Sequence, residues 1–471
     1  MTTTDSFLLA EQTRSAIDRL AGTLHDYRHG DVRPVADRLP VVLTDLLGVT
    51  VAGMRTPELR RLLDVWPTPA GPHPLVGCER RTDPDTAARL LATAACSQEL
   101  DEGNKHAAGH PAAHVVPAAL AAAHESPTPV TGERLLTAVA VGYEVAARFG
   151  RALRRDPAWH THGHWGVTGA AAAAAVVHGC TVGQLAAAID VSTDLMTVTP
   201  WTSVLAGDFA RNLWLGQAAV GGLLAARLAR AGLAVNRGGA AAAFDLLGTL
   251  DPEVLVEDLG ERWLVAEGYL KQHAACSYTH PAVDLVQSLR RADGWSGDDV
   301  ASVHVATHGL ARPLLQRDPV TRLGGMFSMP FVVAVACTAD AVDPSTMEPG
   351  TAAFERAAAF SDRVVVEVRA DLDAHLPRRR VTEVVVELAD GRTVALAQPD
   401  PIGDTAHFPL GEADVVAKID RLLAAGPDRA TDASRGADGP RAADLLAGVR
   451  ALVDAPDVVA AYAALPYVGA H

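Results

Sequence analysis

The sequence predicts a mainly α-helical protein with a smaller α+β domain set into it. Three observations carry that prediction. Alanine- and leucine-rich helical patterns run from the start to about residue 266. Alternating β-branched residues then appear in short runs between Val300 and Ala397. Helical patterns return from Gly411. These shifts place an all-α domain at 1–267, an α+β domain at 268–408, and C-terminal helices at 409–471 that pack back on the first domain. The 471 residues are 49% hydrophobic but only 5% aromatic. Alanine and leucine must therefore carry the core, which calls for closely packed helices.

The elements follow in order. Residues 5–65 are helical, with breaks at Gly30 and near Pro34, and Leu39–Met54 reads as one buried helix. Pro67–Pro74 is a loop. A helix over Asp83–Leu100, capped by Thr82 or Asp83, is expected to deliver Glu99 and Asp101 to a polar cluster running to His114. Gly103–Gly109 is the loop of that cluster, with Gly109 permitting a tight approach. Pro111 suits a first helical position, so His110 falls at the N-cap of a helix Pro111–His124 that Pro117 kinks or restarts. A carboxylate ligand is favoured at that N-terminus. Asp101 and Glu102 have a plainer reading, as a cap or as partners of Lys105.

Gly132–Arg151 is a helix whose Glu144 and Arg148 form a surface or interhelical ion pair. A second polar island, Trp159–Gly166, precedes an alanine-rich helix Gly169–His178, and Arg211–Gly232 is a helix rich in small residues. Beyond the break near Lys271 come a helix Pro281–Arg291, a strand at Val300–Val305 and a helix Phe327–Ala341. Strands Arg363–Arg369, Val381–Leu388 and Arg392–Ala397 follow, the last two joined by an Asp390-Gly391 hairpin turn. The 426–440 stretch is rich in Gly, Asp, Arg and Pro and is expected to be mobile. Arg441–Leu465 is a last helix or pair.

Composition excludes several classes. A net charge of −15 argues against nucleic acid as a partner. Five scattered cysteines without C-x-x-C argue against a disulfide framework or structural zinc and suit a reducing compartment. No signal peptide is visible, and the longest apolar run, Ala170–Val177, is too short to span a membrane. A soluble cytoplasmic protein is expected. No glycine-rich phosphate loop qualifies, so no nucleotide cofactor is expected.

Three islands share one layout, a polar loop followed by an apolar helix: Glu99–His114, His160–His164 and Lys271–His280. Asp208–Asn212 is a weaker fourth. If the helix N-termini converge, they form a pocket with histidines for proton transfer and with Lys271 and Arg211 for carboxylates. A metal site is not expected. His106, His110 and His114 are spaced i, i+4, i+8, but Pro111 puts His106 outside the helix, and no H-E-x-x-H occurs. His114, His162 and His164 read as structural rather than catalytic, and His178 and His304 as structural. Cys276 is a possible nucleophile, with a buried core cysteine as the default.

The segments GHPAAHVVPAALA, GYEVAARFG, H-x-H-G-x-W-G before the alanine run, RNLWLGQAA, and K-x4-C-x3-H at Lys271, Cys276 and His280 resemble the MmgE/PrpD family over nearly the whole chain. That family includes 2-methylcitrate dehydratase, cis-aconitate decarboxylase and iminodisuccinate epimerase. The resemblance implies an all-α domain with an inserted α+β lid, a homodimer, and no organic cofactor or metal. It implies that His110 is the active-site histidine of the H-P motif, that His160 is the histidine before the alanine-rich helix, and that Lys271 is the lid lysine. Glu99 stands where many members have Asp, Arg211 where the decarboxylases place lysine, and Cys276 where they have histidine.

The candidate catalytic residues are therefore His110, His160, Lys271, Glu99 and Asp101. The candidate substrate contacts are Arg211, Lys271, His106, Cys276 and His280. The expected activity is a lyase, a dehydratase or decarboxylase of a small di- or tricarboxylic acid. An epimerase or isomerase of an amino- or imino-dicarboxylate is the runner-up, and a non-catalytic scaffold is the alternative from another class.

Overall fold

The computed structural model describes residues 3–26, 32, 35–424 and 440–468. The expected breaks at Gly30 and Pro34, and the 426–439 part of the expected mobile stretch, lie outside these residues. The chain is mainly α.

The helices that build the site are α1 (Arg38–Met54), α2 (Pro84–Cys96), α3 (Pro111–His124), α4 (Gly132–Ala152), α5 (Gly166–Val177) and α6 (Ala210–Arg230). At the centre lies α5, with all twelve residues buried, packed between α3, α4 and α6. Its alanines leave room for close helix contacts. Gly142 of α4 faces Gly169 of α5 so closely that a Cβ on Gly169 would stand 2.4 Å from the Gly142 carbonyl oxygen. Gly222 of α6 lies equally tight against Ala170, where a Cβ would meet its Cβ at 2.5 Å. The small-residue stripe of α6 thus does the packing its composition suggested.

A four-stranded sheet holds β1 (Val300–Thr307), β2 (Val364–Val368), β3 (Thr382–Leu388) and β4 (Thr393–Gln398), in the order β4-β3-β1-β2. β1 and β2 run parallel, with Val303 opposite Val364, and the other pairs are antiparallel. The β3–β4 turn uses Gly391 at φ 88°, a conformation that needs glycine. Helices α7 (His280–Asp293) and α8 (Met329–Thr338) pack on this sheet.

Among the described residues, the buried apolar ones form two clusters. One joins the N-terminal helices with parts of the C-terminal ones. The other joins the sheet, α7 and α8. Helix α1 serves both: Leu46 and Leu47 belong to the first, Val49 and Ala52 to the second. The C-terminal helices α9 (Glu412–Ala424) and α10 (Ala442–Val453) pack on α1. There Lys418 Nζ lies 2.6 Å from Asp45 Oδ1 and 2.8 Å from the Leu100 carbonyl, fully buried.

Several expectations need correction. The helix over Asp83–Leu100 stops at Cys96, and Glu99 adopts φ 54° in the turn that follows. Asp83 alone caps it, accepting from Thr86 N–H at 3.0 Å. Helix α3 runs through Pro117 without restarting. The Phe327–Ala341 helix shortens to Met329–Thr338, and the last segment divides into Ala442–Val453 and Val458–Ala463. Glu144 and Arg148 pair at 2.7 Å in the core rather than at the surface, where Arg148 also donates to the carbonyls of Leu255 and Glu257. Lys105 pairs with Asp400 and Asp404, not with Asp101 or Glu102.

Candidate active site

Stretches far apart in the chain meet around one small cavity. The turn after α2 supplies Glu99, the start of α3 supplies His110, and the segment before α5 supplies His160 and His162. Arg211 comes from the first turn of α6 and Cys276 from the stretch after Tyr269. The open space is about 20 Å³, room for a single water.

Local structure explains the convergence. Gly103 and Asn104 pair antiparallel with Tyr269 and Gly268, which brings the first island against the third. Asn104 pins its loop. Its N–H donates to the Gly109 carbonyl at 2.7 Å, and its Oδ1 accepts from the N–H groups of His106 and Ala107 at 3.0 and 3.2 Å. Ser97 Oγ donates to the Ala94 carbonyl and Gln98 Nε2 to the Ala52 carbonyl, ending α2. The left-handed backbone of Glu99 then turns its carboxylate inward, in a conformation that non-glycine residues rarely adopt.

Glu99 is the hub. Its Oε2 accepts from Lys271 Nζ at 2.9 Å, and its Oε1 pairs with Arg211. Asp101 stands 3.7 Å from Lys271 and 3.3 Å from His110 Nδ1. All of these groups are buried. Burial opposes the charge of Glu99, but Arg211 and Lys271 together outweigh it and hold the carboxyl at about 2. Burial dominates for Asp101; the more distant Lys271 only partly offsets it, and Glu99 adds to it, so Asp101 is pushed up to about 6.

Burial also holds His110, His160 and His162 well below the ordinary histidine value, so all three are neutral near pH 7. Backbone contacts then set the tautomers of His110 and His160. His110 Nδ1 lies 2.5 Å from the Glu102 carbonyl, which can only accept, so Nδ1 carries the proton and Nε2 is a free base. The N–H of His162 donates to His160 Nδ1 at 3.3 Å, so in His160 the proton sits on Nε2. One histidine is poised to take a proton, the other to give one. An apolar collar keeps His160 neutral, with Trp201 at 4.6 Å and Phe327 at 5.9 Å between ring centres.

Most of the remaining candidates fall elsewhere. Lys271 and Asp101 stand behind Glu99 and His110 and do not line the cavity. His106 pairs with Glu267 at 2.8 Å. His280 Nε2 donates to the Ala275 carbonyl at 3.0 Å, beside His273. Cys276 does line the cavity, but burial and then Glu99 push its thiol up to about 11, which argues against a nucleophile. The N-terminus of α3 is not open to a substrate: Ala112 N–H donates to Glu102 Oε1 at 2.5 Å, and Tyr143 donates to Oε2 at 3.0 Å. His114 is occupied structurally by the His110 carbonyl and the Gly163 N–H.

Sequence reasoning missed Arg155, Trp201, Tyr269, Tyr278 and Phe327, which also line the cavity. Arg155 hides in the charged run Arg154-Arg155-Asp156, and Phe327 resembles a helix start. A usable signal was the placing of scarce aromatics beside the polar islands. His162 was set aside as structural, yet neither ring nitrogen has a hydrogen-bond partner, and its ring stands edge-on to both His110 and His160, at 4.8 and 4.4 Å. Among the described residues, the ligand atoms of Asp400, Asp404 and His407 lie close enough for a metal, but Lys105 Nζ already stands 3.1 Å from Asp404 and 3.5 Å from Asp400. His106, His110 and His114 form no such group.

Comparison with known proteins finds relatives over most of the chain. A cis-aconitate decarboxylase-like protein of Aspergillus oryzae, oryM, is 24% identical over 397 residues, covering 76% of this chain and 80% of its own length. Cis-aconitate decarboxylase of Aspergillus terreus is 23% identical over 330 residues, 64% of this chain and 67% of that protein. The model of the MmgE/PrpD N-terminal domain matches residues 18–238, which hold the turn of Glu99, both histidines and Arg211. That of the MmgE/PrpD C-terminal domain matches residues 273–435, which include Cys276 and the whole sheet. With both halves matched in order, the chain belongs to the MmgE/PrpD family.

Proposed function

We propose that the chain is a cofactor-independent lyase, a dehydratase or decarboxylase of a small di- or tricarboxylic acid, working by proton transfer next to a carboxylate. One observation carries the reading: two neutral histidines of opposite tautomer face the same buried cavity. His110 Nε2 removes a proton α to a carboxylate. His160 Nε2–H protonates the departing hydroxyl in dehydration, or the carbanion that carbon dioxide leaves behind. Arg211 meets the carboxylate on which charge develops. Glu99, Lys271 and Asp101 act one step back, holding Arg211 and His110 in place. The lyase-type relatives support this general class.

The α+β segment is proposed to act as a lid. Cys276, Tyr278 and Phe327 come from the second apolar cluster, whereas His110, His160 and Arg211 stand on the helical side, so parting the two would open the cavity.

Incubation of the purified protein with citrate-like, aconitate-like and iminodisuccinate-like acids in deuterated water tests the reading. Loss of water or release of carbon dioxide is expected with at least one acid. Deuterium uptake without loss of water or carbon dioxide would instead mark an epimerase, and binding without any exchange a scaffold.

A further inference from the structure

The cavity lining has a feature that proton transfer does not use. The chain is only 5% aromatic, yet Trp201, Tyr269, Tyr278 and Phe327 all face this one space. Charge is scarce by contrast. Two guanidinium groups, Arg155 and Arg211, line the cavity, Arg211 while also paired with Glu99; Lys271, bound to the same carboxylate, does not line it. Arg211 keeps its Nε without a partner. Arg155, half-buried at the rim, donates to the Trp159 carbonyl. A third guanidinium, Arg380, does not line the cavity: it stacks on Tyr269 and Tyr278, 5.0 and 5.1 Å from their ring centres, and its Nη1 donates to Ser277 Oγ at 3.1 Å.

An acid with three carboxylates would leave one of them without a guanidinium or ammonium partner in the lining, near indole and phenyl rings. Burying an unpaired charge there is costly. An apolar arm in the same place would gain from leaving water. We propose that the site selects a dicarboxylate carrying an apolar side arm over a tricarboxylate. Because the closed cavity of about 20 Å³ holds one water, the acid enters when the two sides part. One carboxylate then meets the open Nε edge of Arg211, the other meets Arg155, and the arm lies on Trp201 and Phe327. The inference rests on the lyase reading for the location of the site and narrows its substrate.

Calorimetric titration of the full chain with succinate, isopropylsuccinate and tricarballylate tests it. All three are saturated and lack a leaving group, so binding is read without turnover. Isopropylsuccinate should bind at least about tenfold more tightly than either of the others, the scale expected for burying a few apolar carbons. Phe327→Ala should erase that preference, so that succinate and isopropylsuccinate bind alike. Should that variant fail to fold, Trp201→Leu reads the same arm. Arg155→Met, a change at the rim, should weaken all the dicarboxylates about tenfold or more. Tightest binding of tricarballylate, no gain from the arm, unchanged affinity in Arg155→Met, or no binding of any probe would each overturn the inference. The expected binding order without turnover of any acid would leave it standing and remove the lyase reading. Turnover together with a preference for tricarballylate would do the reverse.

Discussion

Glu99 binds two cations at once, so its loss would leave Arg211 buried without its carboxylate and Lys271 with only the more distant Asp101. His110 is different, because its ring meets neighbours mainly through Nδ1 and leaves Nε2 for chemistry. His110→Ala should lower turnover at least about 100-fold, the scale of general acid–base catalysis, with the circular dichroism spectrum unchanged. Near-normal turnover would remove His110 from the mechanism. Glu102 gives a pH prediction. Burial raises its carboxyl from an ordinary 4.5 to about 8, with Asp101 adding to the effect. A raised carboxyl contributes its stability below the unfolded value and loses it as pH climbs through the folded value. Glu102→Gln keeps partners for Ala112 and Tyr143 but cannot ionise. Its stability in urea should match the parent near pH 4.5 and exceed it near pH 9 by on the order of a few kcal/mol. An equal difference at both pH values would contradict a buried, protonated Glu102. At this scale the sequence told much about His110, His160 and Arg211, because each sits in a polar island before an apolar helix. It was silent on which cations are already neutralised inside the protein, since that depends on contacts between distant segments.

The helices were legible from alanine runs and Pro starts, and most ends fall within a few residues of expectation. The exception, the end of α2, matters most. Four more helical residues would have carried Glu99 along the helix axis instead of into the cavity. Side-chain to carbonyl contacts of Ser97 and Gln98 decide that ending, and Gln98 finds its carbonyl on α1, out of sight of local pattern. The close approach of α4 and α5 makes a sharper prediction. Gly169→Ala drives a methyl group into the Gly142 carbonyl and should cost about 1–3 kcal/mol in urea unfolding. Gly232→Ala is a poor control because its φ is 73°, whereas Gly22, in open space on the N-terminal helix, should tolerate alanine. A Gly169→Ala protein as stable as its parent would mean that the helices can part at little cost.

Across the whole molecule, the change from helical to alternating pattern foretold the sheet, and the returning helical pattern foretold helices that pack on α1. No sequence pattern announced that a lysine in one returning helix would meet Asp45 inside the core. Lys418→Met leaves that aspartate buried and unpaired and should destabilise the fold by about 3–5 kcal/mol, read from denaturant midpoints. A Lys418→Met, Asp45→Leu double variant should recover much of the loss, and failure to recover would point to the Leu100 carbonyl as the more important partner of Lys418. The proposed homodimer is checked by sedimentation, where a single species of twice the protomer mass is expected.

Glu99 and Lys271 stand 172 positions apart in the chain and share one buried proton-bearing contact. Inheritance therefore works on them jointly. A substitution at either end is harmful until answered at the other, so changes at 99, 211 and 271 should arrive in lineages as matched sets. A search for new activities in this scaffold would do better to vary those positions together than to scan them singly.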